Sequence, residues 1–403
     1  MSKTFLKTLL GFFSFFCAAS FLIAKPKVNL SVWADDGTSD IVSKRLNEFK
    51  AANREVNFNF TVIEQASAFC STNIMANIEF AADVFVFVDD QLADLVENGI
   101  ILELPYDYSQ KVMDLCGGAN AAGVSAASKS GKLYAFPQLA GNGYFLFYNK
   151  KYITTDDTAS FSKLLKAAAA SDKQVAMDLK NGWYLYSFFK AAGLDVYSEG
   201  KGNFCNWNAT DTKYKGVDVA KAIINIASDP AFVSADNGGI MDLVKSDKVV
   251  AAVNGPWNAV FFSSEWGADY GAVKLPTYNV KGNELQMSSF MGFKMVGVKA
   301  SAKNPEWAMK VAAWLSDEKT QLEIFKKKGE PPAALKVAES PEVRNSPVAI
   351  ALSEQSKFSS AQRVNSSYWN PSLVLGVVLS DGKSLSEQEI QIHLDNTVKK
   401  IRK

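Results

Sequence analysis

From Lys27 onward the chain alternates between two hydrophobic periods. "VNLSVWA" and "VNFNFTVIE" place apolar residues at every second position, and "ADVFVFVDD" is a short continuous apolar run; all three read as strands. Between them, "DDGTSDIVSKRLNEFKAAN" opens on acidic and hydroxyl residues suited to a helix start and continues with helical spacing. "SAFCSTNIMANIEF" and "QLADLVENG" also read as helices, the latter stopping at Gly99. Strand–helix–strand alternation of this kind builds an α/β fold, a mostly parallel sheet covered on both faces.

The pattern changes at "GKLYAFPQLAGNGYFLFYNKKYI". Pro137 and the Gly141-Asn142-Gly143 break make this extended passage a crossing between two bodies. A second α/β region follows, with helices in "FSKLLKAAAASD", "WYLYSFFKAAG" and "DVAKAIINIAS". "LPTYNVKGNELQMSSFMGFKMVGV" is a second extended stretch able to cross back. "NPEWAMKVAAWLSDEKTQLEIFKKKG" reads as one amphipathic helical region. A capping box, Ser386-x-x-Glu389, opens a terminal helix whose last-turn lysines suit its negative dipole end.

Chemistry narrows the function. The 403 residues are 48% hydrophobic with a net charge of +1, a globular profile with no bias toward a polyanion, so nucleic acid is not an expected partner. Residues 1–24 read as a cleaved secretory signal, with Lys3 and Lys7, an apolar run and Ala24, which implies a periplasmic protein. A lipid anchor at Cys17 is disfavoured because Phe16, not a small residue, precedes it. Cys70, Cys116 and Cys205 remain, and three buried free thiols are expected; any disulfide among them is not legible. The single histidine, His393, lies in the terminal helix, so Ser-His-Asp hydrolysis and histidine zinc sites are unavailable. No glycine-rich nucleotide cradle occurs, and no cofactor or metal is expected.

What remains is aromatic. Trp183 follows an Asn-Gly break, Trp257 follows Asn-Gly-Pro, and Trp369 lies two residues before Pro371. Each can simply pack under its own loop. Three indoles at turn-to-helix junctions fit better as flat plates at strand ends, where open α/β sheets bind ligands. Asn254-Gly255 is read as a pair suited to positive φ, with Pro256 starting a helical turn. Trp33, Trp307 and Trp314 read as core. Asp35 and Asp36 end one strand, and Asp89 and Asp90 end another, either as helix caps or as acceptors for ligand hydroxyls. Plates flanked by carboxylates suit a sugar, and burying ~100 Å² of apolar surface per stacked ring is worth roughly 2–3 kcal/mol.

These residues carry a resemblance. "LSVWADDG", "ADVFVFVDD", "GKLYAFPQ" with "FLFYNKKYI", "VVAAVNGPW" with "YGAVKLPTY", and "SSYWNPSLVLGVV" resemble the solute-binding proteins of sugar ABC importers, most of all the maltose/maltodextrin branch. The resemblance implies two α/β lobes, 25–139 plus 296–340 and 145–290 plus 345–403. Three hinge crossings join them at 140–144, 291–295 and 341–344, and the sugar is held in the cleft. It implies ligand roles for Trp257, Trp369 and Trp183, for Phe87 in place of a tryptophan, for Asp90 as hydroxyl acceptor, and for Asp35 or Asp36. Asn142 and Asn181 stand where acids are expected, and Gln91 where an arginine is. The implied protein is a monomeric, non-catalytic oligosaccharide receptor that delivers its ligand to a membrane permease. A glycoside hydrolase using paired carboxylates, and the same scaffold binding a polyamine, are the rival readings.

Overall fold

A computed structural model describes residues 25–199, 202–381 and 385–403; residues 1–24, the stretch expected to be a secretory signal, lie with Cys17 outside the described residues. Two hydrophobic cores organise the chain. One gathers buried residues from Val28 to Phe136 and from Met295 to Leu315, and the other gathers residues from Tyr144 to Phe290 and from Val364 to Ile401. The first core flanks a sheet in which the strands Asn57–Glu64, Lys27–Ala34 and Val84–Val88 run parallel. Strand Ser289–Val298 closes it antiparallel to Val84–Val88. The second sheet holds Phe232–Val233, Gln174–Ala176, Val249–Asn254, Phe145–Asn149 and Tyr270–Val273, with Phe145–Asn149 antiparallel to both neighbours.

The strands that run from one core to the other are Phe136–Gly143 and Ser289–Val298. They pair with each other, Gly292 opposite Asn142 and Met291 opposite Gly143. Strand Ser359–Ala361, which returns from the second lobe, pairs parallel with the same Ser289–Met291 segment. Residues 341–344 are instead a helical turn, Pro341–Arg344, between short helices.

Local chemistry explains where the elements start and stop. The amphipathic helical region is built of two helices, Pro305–Leu315 and Glu318–Lys328. The break comes at Asp317, whose side chain accepts the Thr320 N–H at 2.8 Å and caps the second helix. The terminal helix Glu387–Ile401 carries the full Ser386/Glu389 capping box. "SAFCSTNIMANIEF" is helical only to Ala76, and Phe80 is left exposed. Trp33 is buried, and Trp307 and Trp314 pack against the first core. Cys70, Cys116 and Cys205 are free and buried, and burial pushes all three thiols up.

One polar cluster is buried beside the crossing strands. Lys294 Nζ lies 2.6 Å from Asp35 Oδ2 and 2.6 Å from Glu330 Oε2, and Lys328 Nζ lies 2.9 Å from Glu330 Oε1. Burial works to raise the Asp35 carboxyl, but the charges of Lys294 and Lys328 and the bonds from Lys294 and the Ser67 N–H outweigh it. They hold it at about 2. The cluster ties the end of the first strand to the second crossing strand and to the segment after Lys328. Replacing Lys294 by Met strands two buried carboxylates and is expected to cost about 3–5 kcal/mol at neutral pH. Asp35 is lowered in the fold, so its stabilisation is complete above pH ~4, its ordinary value, and is lost as pH falls toward 2. Thermal unfolding of Lys294→Met and wild type across that window should therefore converge at the acid end; a pH-independent gap would contradict the pairing.

Candidate functional site

Trp257 sits where the strand Val249–Asn254 ends at the crossing strands. Asn254 is buried; its Oδ1 accepts the Gly255 N–H at 2.8 Å and Asn258 Nδ2 at 3.0 Å, and its Nδ2 donates to Asn237 Oδ1 at 3.1 Å. This amide cluster holds the corner, and Pro256 opens a single helical turn before the helix Ala259–Trp266. The glycine is required for a reason other than positive φ, because Gly255 has φ of −104°. The Trp257 indole folds back over it, and a Cβ there would lie 2.0 Å from the ring. The corner is therefore shaped to lay an indole flat against backbone. Pro256 in turn packs on Gly141 of the first crossing strand, beside Pro331.

Trp183 comes to the same place from the other side. Asn181 caps its helix by accepting the Trp183 N–H at 3.0 Å, which explains an amide where the resemblance expects an acid. Tyr144 donates to the Trp183 carbonyl at 2.8 Å and meets its ring edge-on at 4.7 Å. The Trp183 and Trp257 rings are 5.5 Å apart and tilted by 36°, and both stay half-buried. Gly182 fits closely under Ser372 of the helix Trp369–Asp381, the helix that starts with Trp369. Trp369 lines an open pocket of about 580 Å³ with Asp178, Asn181, Gly182 and Asp236.

The first lobe contributes Asp89 and Asp90. Asp89 Oδ1 accepts the Phe293 N–H at 3.1 Å and lies so close to Gly292 that a Cβ there would sit 2.3 Å from it. Burial pushes Asp89 up to about 6. Asp90 keeps part of its surface open, but its Oδ1 is enclosed and has no hydrogen-bond partner. Burial, then the Asp89 charge, push it up to about 8. Asn142, on the crossing strand, is buried and donates to Gln362 Oε1 at 3.2 Å, and Trp183 Nε1 donates to the same oxygen at 2.8 Å. The Gln362 side chain also lies against the Asp90 carboxyl and works to lower it, against the burial and the Asp89 charge that raise it. Trp183, Trp257, Asn142 and Asp90 are thus brought together at the crossing, where Gln362 accepts from Trp183 and Asn142 and lies against Asp90.

Two expected site residues are placed elsewhere. Phe87 is fully buried beside Phe85 in the first core, on the strand face that packs against Gly297 and Ile101, and it presents no plate to the cleft. Asp35 is committed to Lys294 and Ser67. Asp36 is exposed beside Lys328, with burial and the Asp35 charge raising its carboxyl. Gln91, where an arginine was expected, accepts the Ser71 N–H and donates to the Ser67 carbonyl, serving the loop rather than the cleft. Gln362, Lys294, Glu330 and Tyr144 were not anticipated. Only strand register brings Gln362 in, through its N–H bond to the Met291 carbonyl at 3.2 Å.

Two α/β lobes joined by paired crossing strands, with half-open aromatic plates and an unsatisfied acceptor at the junction, define a cleft-type binding protein. A family profile described as bacterial extracellular solute-binding protein matches residues 44–350, and the chain belongs to that family. It is 30% identical over 291 residues to a galactooligosaccharide-binding protein of Bacillus subtilis (strain 168), covering 69% of this chain and 66% of the relative, just under two thirds of its length. Its fold is similar to a maltodextrin-binding protein, MalE1, of L. casei BL23 solved without ligand. That likeness has a TM-score of 0.78 and 25% identity over 94% of this chain and 99% of the other. The maltotriose-binding protein of Thermus thermophilus, bound with maltotriose, shares the fold at TM-score 0.75 and 17% identity, covering 93% and 99%. No helix among the described residues is long and apolar enough to cross a membrane.

The acid pair at the junction gives a signed prediction. Both carboxyls are raised in the fold, so the folded state is favoured at low pH. Stability then falls as pH rises from the ordinary carboxylate value through about 6 and about 8. Asp90→Asn keeps an acceptor for Gln362 and removes the charge. The ligand-free variant should therefore melt above wild type at pH 8–9, with the gap closing by pH 4 (scanning calorimetry). A variant less stable than wild type at high pH would mean that Asp90 is ionised and paired.

Proposed function

We propose that this chain is an oligosaccharide receptor that binds its ligand between the lobes on Trp183, Trp257 and Trp369 and hands it to an ABC importer. The observation that carries this is the half-buried pair of indoles, 5.5 Å apart, lying at the lobe junction with the partly open Asp90 carboxyl on the facing lobe. Sugar rings have apolar C–H faces that stack on indoles and hydroxyls that seek such acceptors. The relatives point the same way: one is named for galactooligosaccharide and several fold neighbours for maltodextrin. Asp36 and Asp178 flank the cleft as further hydroxyl acceptors. The lobes close about 140–144, 291–295 and 341–344, the paired strands bending and the helical turn swinging with them. The mature protein acts in the periplasm as a monomer after removal of residues 1–24.

A hydrolytic role is disfavoured by where the acids lie. Asp89 and Asp90 are chain neighbours on one lobe, and Asp35 is held by Lys294, so these carboxylates do not face one another across a scissile bond. Incubation with maltooligosaccharides and galactooligosaccharides should release no new reducing ends. A polyamine would use the same aromatics, but Asp90, pushed up to about 8 by burial and the Asp89 charge, offers little negative charge to a polycation.

Calorimetry against a panel of maltooligosaccharides, galactooligosaccharides and spermidine tests the reading. Trp257→Ala should weaken the sugar that binds by at least about tenfold, the loss of one stacked ring, while the melting temperature of the ligand-free protein hardly moves. Unchanged affinity would remove Trp257 from the site.

A further inference from the structure

We propose that Gln362 is a positioning residue of the cleft. Its one side-chain amide sets the plane of the Trp183 indole and ties it to the crossing strand, beside Asp90 of the opposite lobe. The assignment rests on the indole pair being the ligand floor. Gln362 is 6% exposed and follows the edge strand Ser359–Ala361, its backbone held to Met291 of the second crossing strand. Its Oε1 accepts two donors, Trp183 Nε1 at 2.8 Å and Asn142 Nδ2 at 3.2 Å, which uses both lone pairs. The amide nitrogen is then the group left to face Asp90.

Each of those partners belongs to a different part of the molecule. Trp183 opens a helix of the second lobe, Asn142 lies in the first crossing strand, and Asp90 follows the strand Val84–Val88 of the first lobe. The Trp183 backbone is held by Asn181 at the N–H and Tyr144 at the carbonyl, and its ring meets Tyr144 and Tyr184 edge-on and Trp257 at a tilt, apolar contacts that carry no direction for the ring nitrogen. The indole N–H bond is what fixes rotation of the ring about its own stem. A change of lobe angle moves Asp90 and Asn142 relative to the helix. Through Gln362 that change is transmitted to the tilt between the Trp183 and Trp257 rings, 36° here.

The tilt can be read without ligand, because two indoles this close couple electronically and give an exciton couplet in far-ultraviolet circular dichroism. Gln362→Leu should reduce the couplet, and Trp183→Phe should abolish it. Adding Gln362→Leu to Trp183→Phe should change nothing further. Gln362→Glu keeps an acceptor for the indole and should keep the couplet. Calorimetry with maltotriose should show about tenfold weaker binding for Gln362→Leu, the value of one hydrogen bond, with no added loss in the Trp183→Phe background. Gln362→Met, which keeps chain length and packing, is the second apolar variant should the leucine not fold, and it carries the same outcomes. A couplet unaltered by the apolar variants overturns the assignment, as does an affinity loss of equal size with and without Trp183. Should maltotriose not bind wild type, that sugar is excluded as ligand while the couplet still decides the role of Gln362.

Discussion

The pairing of the two crossing strands is the constraint on which the rest depends. With Gly292 opposite Asn142 and Met291 opposite Gly143, two chains that leave one lobe for the other are hydrogen-bonded where they cross. Small residues are needed there. Gly292 leaves room for Asp89, and Gly141 leaves room for Pro256 and Pro331. That close approach brings a corner of the second lobe, with Trp257, against the first crossing strand. It also lets the returning strand Ser359–Ala361 add itself beside Ser289–Met291 and deliver Gln362 to the same point. The cleft floor is a product of backbone register, and the side chains gathered there come from five separate stretches of sequence.

Two buried polar groups at this junction have opposite character. The Asp35–Lys294–Glu330 cluster is closed, each charge meeting an opposite one at 2.6 Å, and it serves to lock the first lobe to its crossing strand. The Asp89–Asp90 pair is open, raised by burial and mutual repulsion, with one oxygen lacking a partner. A cluster of paired charges ties its elements together, whereas a buried carboxyl with no cation against it is held toward its neutral form. The same residue type, a pair of aspartates at a strand end, thus enters a charge cluster at one site and, among the described residues, stays without a salt bridge at the other.

Much of the architecture was legible because hydrophobic period and cap residues are local signals. The alternation of strand and helix, the terminal capping box and the strand-to-helix corner at Trp257 all follow from a few neighbouring residues. The helical region over Pro305–Lys328 was legible as helical, while its division in two, where Asp317 caps the second helix, is a break that amphipathic spacing alone conceals. Phe87 was misplaced because motif position does not say which face of a fully buried strand a ring takes. Gly255 was read for its φ, when the need is space for the indole of Trp257, a contact two residues away that no propensity encodes. Gln362 carried no signal at all. A lone glutamine becomes informative only when register places it between Trp183, Asn142 and Asp90.

If these junction residues form the floor of a cleft that closes, ligand must draw the two lobes together. Small-angle X-ray scattering of the mature protein, recorded with and without saturating oligosaccharide identified by calorimetry, tests this directly. The account predicts a smaller radius of gyration on binding, with the protein still monomeric. A bound complex whose scattering profile superimposes on that of the free protein would contradict it.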